Sequence, residues 1–229
     1  MITITTAVLV ISGLVTVTWI AVRDHGALRA ARRSLFDACG TLLDNSQIRH
    51  GGDDFPSIDG TWRGSRIHAD LIPDTMTIRR LPQLWLSLTR FEARPGIAEF
   101  AVLVRPAGTE FYSLTSQFSH RLETPPGLPA EVLIRGGRAE SQQLLNRMAP
   151  LLAKIFGDPK VKEVGVTEKG LRLVWQAGEG RRGEHLLLRQ SVFDDANVGK
   201  LDFSMLLEAT DTISDVVASH AVLARRRQA

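Results

Sequence analysis

A chain of 229 residues has room for one folded unit and little more. Its 44% apolar and 23% charged side chains, without repeats or low-complexity tracts, exclude a disordered or fibrous protein, and its single cysteine excludes an intramolecular disulfide or a cysteine-rich metal site. The net charge of +3 belongs to the ends: setting aside Arg23, Arg29, Arg32, Arg33, Arg225, Arg226 and Arg227 with Asp24 leaves 21 basic against 24 acidic side chains, without the cationic excess that nucleic-acid binding requires.

Ile2 to Val22 is uncharged for 21 residues. As a helix it measures about 31 Å, near the ~30 Å of a bilayer core, so the sequence predicts a transmembrane helix over 2–22. Trp19 falls where indoles sit at headgroups, and the basic residues follow the span instead of preceding it. That asymmetry predicts a single-pass protein of the cell inner membrane, with its N-terminus outside and its soluble domain in the cytoplasm. Ser12 and Gly13 offer a small surface for helix approach, though no GxxxG is present.

Over 23–45, Leu28, Ala31, Leu35, Ala38 and Leu42 recur at three- and four-residue steps, which predicts an amphipathic juxtamembrane helix. Arg23, Arg29, Arg32 and Arg33 would then enforce topology and contact anionic lipid headgroups. Residues 46–58, with Gly51, Gly52, Asp53 and Asp54, read as a polar linker.

From Asp59 the period becomes two. Residues 61–63 and 66–71 predict a hairpin around Gly64-Ser65 in a type II′ turn, and 75–80, 84–91, 99–104 and 131–135 continue as strands separated by Pro73, Pro82, Pro95 and Pro106. A helix from about Ala139 carries Leu144, Leu145, Met148, Leu151, Leu152, Ile155 and Phe156 on one face, with a kink or a new helix expected at Pro150. Strands follow at 163–167, 171–176 and 184–189. A last helix starts near Asp202 as N-cap, with Leu206, Thr210, Ile213, Val217, His220 and Ala224 in one stripe, and 225–229 form a basic tail. Strands, helix, strands, helix predicts an α+β fold: one N-terminal transmembrane helix, then a soluble domain over 59–224 with a mainly antiparallel sheet and two principal helices.

Candidate chemistry is sparse. His68 and Asp70 are two apart on a strand and share a face, as an acid-base or metal pair would, but no further ligand motif accompanies them. Asp53 and Asp54 lack spaced partners, Gly136-Gly137-Arg138 and the 178–183 stretch GEGRRG match no phosphate-loop pattern, and Ser141 and Cys39 lack a nucleophile setting. His25, His50, His68, His120, His185 and His220 are scattered singly, while Trp62, Trp85 and Trp175 read as core residues. The residues point to no catalytic set, no cofactor and no metal.

The stretches Asp59-Gly60-Thr61-Trp62-Arg63-Gly64, Leu71-Ile72-Pro73-Asp74-Thr75, Arg79 to Leu86, Lys162-Glu163-Val164 and Lys169 to Trp175 resemble a group of uncharacterised bacterial proteins with one N-terminal membrane helix. That resemblance implies a soluble α+β domain behind an anchor and carries no activity. The leading expectation is a membrane-anchored, non-enzymatic accessory or assembly module binding other protein subunits at the cytoplasmic face. The alternative is a tethered enzyme or ligand-binding domain for an anionic or lipid-linked substrate, with His68, Asp70 and the Arg79-Arg80 pair around one pocket.

Overall fold

The computed structural model describes residues 2–52, 55–75, 81–180, 193 and 195–228. Among the described residues, three helices, α1 (Ile2–Arg33), α2 (Ser141–Ile155) and α3 (Lys200–Gln228), accompany nine strands. These are β1 (Asp44–His50), β2 (Pro56–Trp62), β3 (Ser65–Asp74), β4 (Gln83–Phe91), β5 (Phe100–Val104), β6 (His120–Arg121), β7 (Val132–Gly136), β8 (Val161–Thr167) and β9 (Gly170–Glu179). All nine join one sheet in the order β1-β2-β3-β4-β9-β8-β5-β7-β6, and every pairing is antiparallel.

The fold class expected from sequence needs correction. The architecture is dominated by one large antiparallel sheet, and its first helix is not a membrane span. Among the described residues, no helix is long and apolar enough to cross a membrane. Helix α1 continues without a break from Val22 into Arg23, Asp24, Arg29, Arg32 and Arg33. The single-pass inner-membrane placement, with its outward N-terminus and cytoplasmic domain, loses its basis with the span.

The expected juxtamembrane helix also ends early. After Arg33 the backbone tightens into turns bonded at three-residue spacing, Leu35 to Arg32, Asp37 to Ser34 and Cys39 to Phe36, and then the short 3-10 segment Gly40–Leu42. Such winding stacks side chains at i and i+3, which carries Phe36 and Cys39 into the core together. The polar stretch expected as a linker is instead β1 and part of β2, whose Ile58 is fully buried. Asp53 and Asp54 lie outside the described residues, as do the strand expected over 184–189 and all but Thr75 of the strand expected over 75–80.

One face of the sheet makes the main core. Ile67, Ala69 and Leu71 of β3, Leu84, Leu86 and Leu88 of β4, Phe100, Val102 and Val104 of β5, and Leu171, Leu173 and Trp175 of β9 alternate onto it. Helix α2 adds Leu144, Leu145, Met148 and Leu152, and α3 adds Phe203, Leu207, Ile213 and Val217. Pro150 does not divide α2, which runs through it with the ring on the exposed side, where solvent can satisfy the carbonyl that loses its partner. Asp202 lies within the first turn of α3.

The β2–β3 hairpin turns one residue earlier than expected. Trp62 pairs with Ser65, and Arg63 and Gly64 both take positive φ (48° and 80°), which is a type I′ turn and not II′. A long-range contact compensates the unusual arginine conformation. The Arg63 guanidinium stacks 5.0 Å from the Trp62 ring and donates to Asp211 Oδ2 at 2.8 Å, while Trp62 Nε1 donates to the same oxygen at 2.9 Å.

Asp211 on α3 also accepts from Arg90 of β4, whose side chain is only 9% exposed. Next to it, Glu92 accepts from Ser214 Oγ at 2.7 Å and pairs with Arg94. This network fastens α3 to the ends of β2 and β4. Asp211→Ala should therefore lower stability by about 2 kcal/mol, between the values for surface and buried pairs, as read from the urea midpoint. A glycine test is equally direct, because Gly170 sits at φ +148° and an added Cβ would lie 2.0 Å from Arg90 O. Gly170→Ala should lose roughly 2–3 kcal/mol, whereas Gly52→Ala, with open space around it, should be near neutral.

Candidate functional site

The second face of the sheet is where the sequence placed its candidate pair. Strand alternation and register align Asp59, His68, Thr89 and Arg172 in one cross-strand row, and Ser57, Asp70, Ser87, Val174 and Glu163 in the next. His68 and Asp70 do share this face, but the imidazole engages a different carboxylate: His68 Nδ1 lies 3.2 Å from Asp59 Oδ1. Arg66 and Arg49 approach Asp59 at 3.4 and 3.7 Å from largely exposed positions, where such pairs contribute at most about 1 kcal/mol. Arg79 and Arg80 lie outside the described residues. Among the described residues no group of three His, Cys, Asp or Glu side chains is placed to hold a metal ion.

The β5-β8-β9 half of the same face is covered by residues 105–119, which pack Tyr112 against Trp85 and Val174, and Leu114 and Phe118 against Ala101. A bulge in β8 after Val161 lets both Lys162 and Glu163 engage this segment. Lys162 donates to Arg105 O at 2.6 Å and pairs with Glu110 at 2.9 Å, both side chains 5% exposed. Glu110 also accepts from the N–H groups of Ala107 and Gly108. The fully buried Glu163 accepts from Ser113 Oγ and from the Leu114 N–H, and Arg172 donates to Tyr112 O. Trp85 Nε1, Tyr112 Oη and Arg172 Nε remain buried without a hydrogen-bond partner. Each such group costs roughly 1–3 kcal/mol that water would return on opening, so this cover is held by a few charged contacts against a polar penalty.

The remaining candidates from the sequence are structural. Cys39 is fully buried with Sγ 3.4 Å from Val198 O, and burial with the nearby charge of Asp202 pushes its thiol up to about 11, which removes it as a nucleophile at neutral pH. Ser141 is buried and donates to Glu99 O at 2.7 Å. Gly136 permits β7 to approach α2, since an added Cβ would lie 2.8 Å from Ser141 Cβ, and Arg138 donates to Gly96 O and Ile97 O. Of the 178–183 stretch, Gly178 and Glu179 belong to β9, and residues 181–183 lie outside the described residues.

Two surface features stand apart. A groove of about 390 Å³ runs between the C-terminal half of α2 and the first turns of α3, with Leu173 and Trp175 of β9 at its base. Trp175 is fixed by donation from Nε1 to Asp158 Oδ2 at 2.9 Å, and the Lys160 ammonium lies 4.7 Å from its ring. The second feature is α1. From Ile11 to Val22 its large apolar side chains Ile11, Leu14, Val15, Val17, Trp19, Ile20 and Val22 are 42% to 69% exposed. The Thr16 and Thr18 hydroxyls donate to Ser12 O and Leu14 O at 2.8 Å, so these polar groups are satisfied within the helix itself. Arg23 caps this stretch, 5.3 Å from the Trp19 ring and 3.7 Å from Asp24. Arg32 lies over Phe55, so one of the arginines expected at lipid headgroups touches the folded domain.

No protein-family model matches the chain, and no curated protein matches it.

Sequence reading passed over the cluster around Glu163. Its signal was present as two adjacent charges, Lys162 and Glu163, inside the valine-rich run of β8, where a buried strand would otherwise be apolar. Burial holds the Glu163 carboxyl above the ordinary carboxylate range, against the opposing influence of Ser113, Arg172 and the Leu114 N–H. The folded state therefore binds this proton more tightly than the unfolded chain. Its contribution is complete below the ordinary glutamate value and is lost as pH rises through the folded one. Glu92 and Glu110 run the other way. Burial raises both, but for Glu92 the bonds from Ser214 and Arg94, and for Glu110 those from Ala107 and Lys162, outweigh it and hold them low. Their stabilisation is complete above the ordinary value and is lost as pH falls. Glu163→Gln should thus flatten the decline in urea midpoint on the neutral side while leaving the acid limb, and Glu92→Gln should flatten the acid limb alone. A neutral-side slope unchanged by Glu163→Gln would contradict this assignment.

Proposed function

We propose that this protein is a non-enzymatic assembly module, an accessory subunit that joins other polypeptides through α1. The observation that carries the reading is the run of seven exposed apolar side chains between Ile11 and Val22. Burying a side chain of this kind contributes about 1.5–3 kcal/mol, so some 10 kcal/mol of transfer free energy is left unused on this helix, comparable with the whole stability of a domain. Soluble surfaces that expose such a contiguous patch use it for recognition.

The arrangement also narrows the partner. At about 100° per residue, Ile11, Leu14, Val15 and Val22 share one broad side of α1, while Val17 and Ile20 fall on the opposite side. A single flat surface covers only one of these. Several apolar helices packed around α1 cover both, as in the core of a multi-helix assembly. The sheet and its two packed helices then serve as the folded body that α1 attaches to that assembly. The enzyme alternative has weaker support, because His68 and Asp70 lie on an open sheet face and His68 is already engaged by Asp59.

A photo-crosslinking amino acid placed at Val15 and at Val17 of the full chain tests the reading. Both positions should label the same polypeptides, on opposite sides of α1, and Leu14→Glu with Val17→Glu should abolish labelling while leaving the unfolding midpoint unchanged. A wild-type chain that sediments as a monomer and gives no protein adduct from either position would refute it.

A further inference from the structure

We infer that the groove between α2 and α3 is a binding site for an amphipathic cation, a small molecule with an apolar chain or ring and one ammonium group. This inference is independent of α1. At about 390 Å³ the groove falls within the range of small-molecule sites. Its walls are apolar: Leu151 and Ile155 come from α2, and Met205 and Ala209 from α3. Met205 is half exposed, and its unbranched thioether adapts to different apolar shapes. Trp175 cannot swing into the space, because Asp158 holds its indole N–H.

Charge selects the head group. Asp158, Asp202, Glu208 and Lys154 line the rim. Asp158 is committed, with Oδ2 on Trp175 and Oδ1 accepting from the Lys160 N–H. Asp202 and Glu208 make no ion pair among the described residues, and Lys154 is the lysine among the lining residues, with Lys160 beside the Trp175 ring. The helix ends reinforce this balance. The groove lies at the C-terminal end of α2, whose carbonyls favour a cation, and the field at the start of α3 engages part of the Asp202 charge, which leaves Glu208 as the freer carboxylate. An ammonium group in the groove therefore meets a carboxylate at either place on the rim, Asp202 or Glu208, whereas a carboxylate ligand has only Lys154 on the rim and Lys160 beside the Trp175 ring.

Octylammonium, octanol and octanoate share one apolar body and differ in charge, so they separate the apolar and ionic contributions. They are titrated into the full-length protein while the Met205 methyl resonance is followed, assigned with Met205→Leu. The shift should saturate. Octylammonium should bind roughly threefold to tenfold more tightly than octanol, the gain expected from partly exposed charge pairs, and octanoate should bind most weakly. Asp202→Asn with Glu208→Gln should bring octylammonium down to the octanol value, and Lys154→Gln should tighten it. Met205→Lys, an exposed change that leaves the core intact, should weaken octylammonium most, read by tryptophan fluorescence. Octanoate binding as well as octylammonium, a cation preference that survives the double carboxamide variant, or no saturable shift in the millimolar range would each overturn the assignment.

Discussion

An antiparallel sheet nine strands wide has two faces to keep from water, and among the described residues two helices pack onto it. That coverage problem organises the molecule. Helices α2 and α3, with the tight turns of residues 34–43, close one face over the leucine- and valine-rich core. The other face is divided. Its β5-β8-β9 half lies beneath residues 105–119, and its β1–β4 half carries polar side chains, the partly exposed Asp59, His68, Asp70 and Thr89 among them. Half-solvated antiparallel sheets alternate in this way. The apolar stretch of α1 from Ile11 to Val22 stays exposed, and the helix meets the folded domain near its C-terminal end, where Arg32 lies over Phe55.

Two charged networks complete the cover, and they respond to pH in opposite senses. Around Asp211 and Glu92, arginines meet carboxylates at the margin of the core and fasten α3 to the ends of β2 and β4, and the bonds to Glu92 hold its carboxyl below the ordinary range. Around Glu163 the carboxylate lies deeper than its few donors can offset, and its proton is held more tightly than in water. Burial decides between the two outcomes. The Glu163 network holds a segment that also buries three unpartnered polar atoms, so residues 105–119 gain less from closing than their packing alone would give.

The two surface features that carry functional inference belong to different physics. On α1, apolar side chains are arrayed on opposite sides of one helix, which suits enclosure by other helices. In the α2–α3 groove, apolar walls end at a rim with more uncommitted carboxylate than ammonium, which suits a small cation-bearing ligand. Neither depends on the His68-Asp70 pair that periodicity brought forward. That pair shares a face because strands alternate, and register then gave His68 to Asp59 instead.

Local pattern determined much of this protein: the period-two strands over 84–91 and 99–104, the apolar faces of α2 and α3, and the deep placement of Trp85 and Trp175 all follow from spacing within a few residues. The same reading misjudged Ile2–Val22, because an uncharged stretch was counted without weighing the continuous helix beyond it. It also took β1 for a linker, since a polar edge strand has no apolar run to announce it. Tertiary structure alone decided that Trp62 would meet Asp211, 149 residues away, and that Lys162 and Glu163 would be buried by a segment with no strand signal. Such choices depend on which faces are left to cover once the sheet has formed, and that is a property of residues distant in sequence.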